Sequence, residues 1–436
     1  MKNPLFKIAG CAIFLAGLPN AAFADWSKSY VVEWNEPAMY YGAETGVIDP
    51  GTDCPKGSNP EPDWIQVLVD AGYTREEAKW LRDPSHPFRI PNHGQNQMAF
   101  RGKDRANIYM HPESTPDPGF TPVTGKIGEG LDLDGNSKNG FISPNGETGI
   151  DNEFYRALGC WMTYRGPERQ SASALSKNDE MLNGSWTVVI VVSGKGKDPM
   201  NDSNVQVGIY NSTDPMVKDA TGNIARDYTF SIAPDAKFEA IFDAKTVNGV
   251  IETIAPVDEV WMRDPSYTRE LQLLKAQLKL KMEEDGSLKG LVAGYRPWFP
   301  VYRGWVEARG SVIEQLTWVQ LPSVYYALKR NADYNPEGTK TASENSGNTH
   351  ISFALRVDAI PAYVVTPDAT ARALQVASYK KLAPPSEGRI PAVYFHSVVV
   401  DGIVRRRDGT IPGGPDVAIP PPTSLATAKG LPTLSK

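Results

Sequence analysis

Residues 276–282 alternate without interruption. Ala276, Leu278, Leu280 and Met282 fall on one side, and Gln277, Lys279 and Lys281 on the other, as a strand with one dry and one wet face requires. Asp285-Gly286 follows as a hairpin turn into a returning strand at 288–293. Residues 351–357 repeat the pattern with Ile351, Phe353, Leu355 and Val357, and residues 205–210 alternate as well. The run 186–192 is apolar except for Thr187, the mark of a buried strand. Further strands are expected at 30–34 and 393–400. Helical spacing is rarer. Two short helices are expected within 61–82, where Trp64, Ile65, Val67 and Leu68 form one apolar side. Thr74 to Glu77 resembles a capping box that opens the second. A helix is expected at 151–164, with Asp151 as N-cap and Phe154, Leu158 and Met162 facing inward. Another is expected at 323–332, behind Pro322. Residues 83–149 are punctuated by Pro and Gly and read as loop.

Strands separated by turn residues, without regularly interleaved helices, argue against a doubly wound parallel sheet. The expected class is mainly β: an antiparallel β-sandwich or open barrel in the second half, after an irregular and helical N-terminal region. The expected organisation is a leader at 1–24, the irregular and helical region at 25–183, a β-rich domain at 184–410, and a Pro-rich disordered tail at 411–436.

The leader reading rests on Lys2 and Lys7, the apolar stretch from Ile8 to Leu18, and the small residues of Ala22-Phe23-Ala24. It predicts export, to the periplasm or beyond. The apolar stretch is too short to cross a bilayer, and no later segment qualifies. Cys11 would leave with the leader, so Cys54 and Cys160 remain of the 3 cysteines. In an oxidising compartment the pair invites a disulfide, the alternative being two separate buried thiols. Against 45 Lys and Arg stand 51 Asp and Glu, a net charge of −6 that argues against a protein devoted to gripping nucleic acid.

Candidate chemistry begins with Leu131-Asp132-Leu133-Asp134-Gly135-Asn136, on a Gly-rich loop followed by Glu147 and Asp151. Asp132, Asp134, Asn136 and Asp151 are the hard oxygen ligands that a structural calcium ion needs. The spacing is not that of an EF-hand, because Ser137 and Ser143 stand where Gly and a bidentate Glu belong. The alternative is a loop whose side chains cap their own turns. A second set, His86, His93, Met98, Met110 and His111, has the soft ligand chemistry of a periplasmic copper-binding protein, against the plainer reading of solvated loop histidines.

Trp298, Tyr302 and Trp305, crowded with Tyr295 and Phe299, suggest an aromatic surface for a small molecule or polysaccharide, with core packing as the alternative. Nucleophile-elbow, P-loop, zincin and haem-attachment motifs are absent from the sequence. Asp258-Glu259 and Glu283-Glu284 are the acidic pairs from which an extracytoplasmic hydrolase of a polymer could be built.

The run from Gly149 to Cys160, the stretch from Asn201 to Val205, and Ile351-Ser352-Phe353-Ala354 with Ala359-Ile360-Pro361-Ala362 resemble an uncharacterised group of exported bacterial proteins, over much of residues 130–365. The resemblance implies export and carries no activity or site. The functional expectation is an exported, non-catalytic binding protein with a structural calcium loop.

Overall fold

The computed structural model describes residues 25–41, 54, 111–183, 187–264, 270–307, 321–338 and 347–366, the strands at 397–400 and 403–406, and single positions between 63 and 79. Its wall strands are β1 (Trp26–Pro37), β4 (Thr187–Gly194), β5 (Asp202–Ser212), β7 (Ala240–Val247), β8 (Val250–Thr253), β9 (Val257–Arg263), β10 (Glu270–Met282), β11 (Leu288–Pro297) and β12 (His350–Pro361). Short pairs complete the strands: β2 (Phe141–Ile142) with β3 (Thr148–Ile150), β6 (Thr229–Ser231) with β13 (Tyr363–Val365), and β14 (Ser397–Val400) with β15 (Ile403–Arg406).

Wall strands pair antiparallel with their neighbours in chain order, except that β8 and β9 both pair with β10, and β12 returns to pair with β1 from Tyr30↔Pro361 to Pro37↔Leu355. The result is a closed, eight-stranded up-and-down barrel in which β8 and β9 lie end to end along the same edge of β10. Closure pairs most of what would otherwise be two free edges of the sheet. The expected antiparallel β architecture is present as a barrel, and its first strand comes from ahead of residue 184.

Alternation dictates the lining. Leu271 and Leu273 of β10 are buried, and so are Ala276, Leu278, Leu280 and Met282. The buried set switches from odd to even positions because a bulge intervenes between Leu274 and Gln277, with Lys275 in the left-handed region at φ 52°. One extra residue exchanges the faces of a strand. From β12, Ile351, Phe353, Leu355, Val357 and Ala359 join the same core. The outer wall is covered in two places. Phe230 of β6 packs on Val31, Val189 and Ile360, while Leu133 packs on Ala293, Tyr295 and Ala354.

Among the described residues, the helices given over their full length are α1 (Glu153–Leu158), α2 (Ala172–Leu182), α3 (Trp298–Glu307) and α4 (Leu321–Asn331). None of the described helices is long and apolar enough to cross a membrane. The helix expected at 151–164 is one short helix, α1, followed by a single tight turn at Met162–Tyr164. Its N-cap is Asn152, whose Oδ1 accepts from Tyr155 N at 3.0 Å, and not Asp151. Aromatic rings weld α1, α3 and α4 to the start of β12. Phe154 meets Phe353 at 5.1 Å and Trp305 at 6.4 Å, and Tyr302 meets Tyr325 at 5.3 Å. The helices expected within 61–82 and the strand residues 393–396 lie largely or wholly outside the described residues, as do the leader and the tail.

Helix α2 has a polar buried face. Beyond Val31, no described strand residue pairs with β1 on its β4 side, and Asn178 bonds the β1 backbone there. Its Oδ1 accepts from Asn35 N at 3.0 Å, and its Nδ2 donates to Asn35 O at 2.7 Å. At the preceding residue, buried Lys177 meets Asp264 at 2.5 Å, and Arg296 meets the same carboxylate at 3.1 Å. Nearby, Arg356 bridges Glu36 at 2.8 Å and Glu129 at 2.5 Å.

Glu36 is 1% exposed, and burial pushes its carboxyl above the usual range although Arg356 opposes the shift. A raised folded-state value means that the folded protein holds this proton more tightly than the unfolded chain. The group's contribution is therefore greatest below about pH 4.3, its unfolded value, and declines as pH rises through the folded value. Glu36→Gln abolishes that titration. Its melting temperature relative to the parent is expected to rise from acidic to neutral pH; a flat or falling difference would contradict the shift.

Candidate cation site and adjoining cleft

The Leu-Asp-Leu-Asp alternation has a physical reading in three dimensions. Leu131 and Leu133 press on the outer barrel wall beside Tyr295 and Tyr334, two rings stacked at 4.1 Å. Asp132 and Asp134 are thereby turned the other way. Asp151, directly after β3, comes back to Leu131 through its backbone N–H, 2.9 Å from the Leu131 carbonyl. Its Oδ2 accepts from Leu133 N at 2.7 Å and Asp134 N at 3.3 Å. Asp132, Asp134 and Asp151 each offer a carboxylate oxygen, and these oxygens lie within 4.8 Å of one another.

The loop is closed by local bonds. Gly135 N donates to Asp132 Oδ1 at 2.7 Å, Asn136 N to Asp134 Oδ1 at 2.8 Å, and Asn139 Nδ2 to Asp134 Oδ2 at 2.9 Å. Asn136, the fourth expected ligand, turns its Oδ1 inward to Lys138 N at 3.2 Å. Gly149 has φ +81°, and a Cβ there would come within 2.8 Å of the Ser137 Cα. Only glycine lets the hairpin approach the loop this closely. Behind Asp151, the Asn152 Nδ2 donates to Ala38 O at 2.9 Å and Glu129 O at 2.7 Å, fixing the site to the end of β1.

Asp151 is buried, and its carboxyl is pushed up to about 6, chiefly by burial and further by the charges of Asp134 and Asp132. Three gathered carboxylates repel one another, and a cation among them would reverse the sign of that interaction. Of the two residues expected to close the loop, Asp151 does so. Glu147 is instead drawn to Lys279 Nζ at 2.5 Å. Ser143, at the position of the EF-hand glutamate, caps the β2–β3 turn by accepting from Glu147 N at 3.0 Å.

Beside the loop a cleft of about 270 Å³ opens between the β2–β3 hairpin and the barrel wall, with Asp132, Thr148 and Glu147 on one side and Glu252, Gln277 and Lys279 on the other. Lys279 also lies 3.3 Å from Glu252. The three wall residues were not among the expected site residues. They are ordinary outward positions of strands, distant in the chain, and only the folded hairpin brings Asp132 to them.

The aromatic expectation is corrected. Trp298, Tyr302 and Trp305 are 8%, 2% and 6% exposed and belong to the core. With Val301 they fall at helical spacing and form the buried face of α3, so they pack the helical layer and present no stacking surface. His86, His93, Met98 and Met110 lie outside the described residues, and His111 is exposed beside Glu113 at 3.5 Å. Of the acidic pairs, Asp258 is bound to Lys275 at 2.5 Å, and Glu259 accepts from Trp261 Nε1 and Gln272 Nε2. Cys54 and Cys160 are joined, with Cα atoms 5.6 Å apart.

No protein-family model, curated protein or solved structure matches the chain.

Proposed function

We propose that this is an exported, non-catalytic binding protein with a structural calcium ion at Asp132, Asp134 and Asp151, which Asn136 would join only by turning its amide oxygen from Lys138 N. The observation that carries the reading is the convergence of three carboxylate oxygens within 4.8 Å on a loop anchored to the barrel wall. Carboxylate and amide oxygens are hard ligands, and an irregular loop suits the flexible coordination of calcium better than the strict octahedron of magnesium. Export is supported by the Cys54–Cys160 disulfide, a bond that persists in oxidising compartments.

Calcium should stabilise the fold by mass action, by about 2.7 kcal/mol when free ion exceeds Kd a hundredfold. Thermal unfolding of the full chain with calcium chloride and with EGTA is expected to show a higher melting temperature in calcium. Asp134→Asn should lose most of the difference. Equal melting temperatures at saturating calcium would reject the site.

A further inference from the structure

We infer that Asn145 is a site of covalent modification, where the side-chain amide is lost as ammonia and the tip of the β2–β3 hairpin becomes aspartate and isoaspartate. The inference is independent of the calcium reading. The reaction is an attack by the next residue's backbone nitrogen, and glycine carries no side chain to shield that nitrogen. Among the described residues three asparagines precede a glycine: Asn139-Gly140, Asn145-Gly146 and Asn248-Gly249. The fold around each pair separates them.

Ring closure needs both the asparagine side chain and the glycine nitrogen free to turn. Asn139 is held at its side chain, because Nδ2 donates to Asp134 Oδ2 at 2.9 Å. Gly140 behind it is pressed on β3, with no room for a Cβ against the Ile150 carbonyl oxygen. Asn248 is held at its backbone. Its N donates to Asn201 Oδ1 at 3.0 Å, and Gly249 N donates to Met200 O at 2.9 Å. Gly249 is also buried, with the Met200 methyl packed on it.

Asn145 and Gly146 are both exposed. The Asn145 side-chain amide has no hydrogen-bond partner, and nothing lies within 4 Å of where a Gly146 Cβ would stand. The restraints on this pair are local: Gly146 N donates to Ser143 O at 2.9 Å, and Asn145 N to Ser143 Oγ at 3.3 Å. Ser143 also pairs with Glu147, its N donating to Glu147 O at 2.7 Å and its Oγ accepting from Glu147 N at 3.0 Å. The tip can therefore open while the hairpin beneath it stays paired.

The chemistry needs only water and a solvent base. The base takes the Gly146 N–H proton, and the nitrogen attacks Asn145 Cγ. The Cγ–Nδ2 bond breaks, Nδ2 regains the proton and departs as ammonia, and a cyclic imide remains. Water then opens the ring. Cleavage between Gly146 N and Cγ gives aspartate in an unaltered main chain. Cleavage between Gly146 N and the main-chain carbonyl carbon of residue 145 gives isoaspartate, with an added carbon in the backbone.

The test ages the full chain in mildly alkaline buffer with EGTA, beside parallel samples in urea. Peptide mapping by mass spectrometry follows the exchange of amide for acid at each position. The rate of each asparagine in urea serves as its own reference. The native-to-urea ratio of Asn145 is expected to exceed those of Asn139 and Asn248 by about threefold or more, the worth of one net hydrogen bond. Isoaspartate should appear among its products. Asn145→Gln, whose longer side chain must close a larger ring, should silence this position and leave the melting temperature unchanged. A smaller margin overturns the inference. So does a native Asn145 that keeps its amide while its unfolded counterpart loses it.

Discussion

Asp264→Ala is expected to lower the unfolding free energy by about 3–5 kcal/mol, the cost of breaking a buried ion pair from one side. Asp264 is the carboxylate shared by Lys177 and Arg296, and all three side chains are 6% exposed or less. Burial already drives the Lys177 amine below its usual range, and Asp264 opposes that shift. Removing the carboxylate takes their shared partner from two buried cations between α2 and the barrel. Urea unfolding should show a lower midpoint with little change in slope. The triple replacement Lys177→Met, Asp264→Leu, Arg296→Met separates charge from shape. Exchanging a buried charge cluster for apolar groups of similar volume is often neutral or stabilising, so the triple variant should recover most of the loss. If Asp264→Ala alone unfolds at the parental midpoint, the cluster contributes nothing to holding α2 in place.

Removing the disulfide is expected to have a comparable effect by another route. Cys54 and Cys160 are separated by 106 residues, and closing a loop of that length restricts the unfolded chain by about 4–5 kcal/mol in the chain-entropy treatment. Both residues are fully buried, and Cys160 lies in the core next to Trp161. The variant Cys54→Ala, Cys160→Ala should unfold at markedly lower denaturant than the parent, and a reducing agent should move the parent toward the variant but leave the variant unmoved. Identical midpoints for parent and variant would mean that the unfolded chain is already as compact without the bond.

Strands with one wet face were legible because alternation is a local property: 276–282 and 351–357 are both wall strands. Closure of the wall was not, because nothing in the local pattern of 30–34 states that Val31 will lie beside Ile360. Helix α2 escaped notice because its buried face includes Ser173, Lys177 and Asn178, which a search for apolar periodicity reads as surface. Helix α3 was present in the spacing of Trp298, Val301, Tyr302 and Trp305, and that period, taken at its word, marks packing instead of a ligand surface. The acidic loop was legible in composition. That Asp151 closes it and Glu147 does not depended on Lys279, a partner that local pattern could not supply.

The pairing of β1 with β12 joins segments from near the two ends of the described chain. Apart from β8 with β10, every other seam of the wall joins neighbours in the chain order of the wall strands, whereas this one joins the first to the last. So non-local a pairing is expected to make folding slow. A polypeptide interrupted anywhere within the circuit keeps two bare edges, each a template for the next molecule. Truncation should thus produce intermolecular association, and half a cylinder should not persist as a monomer.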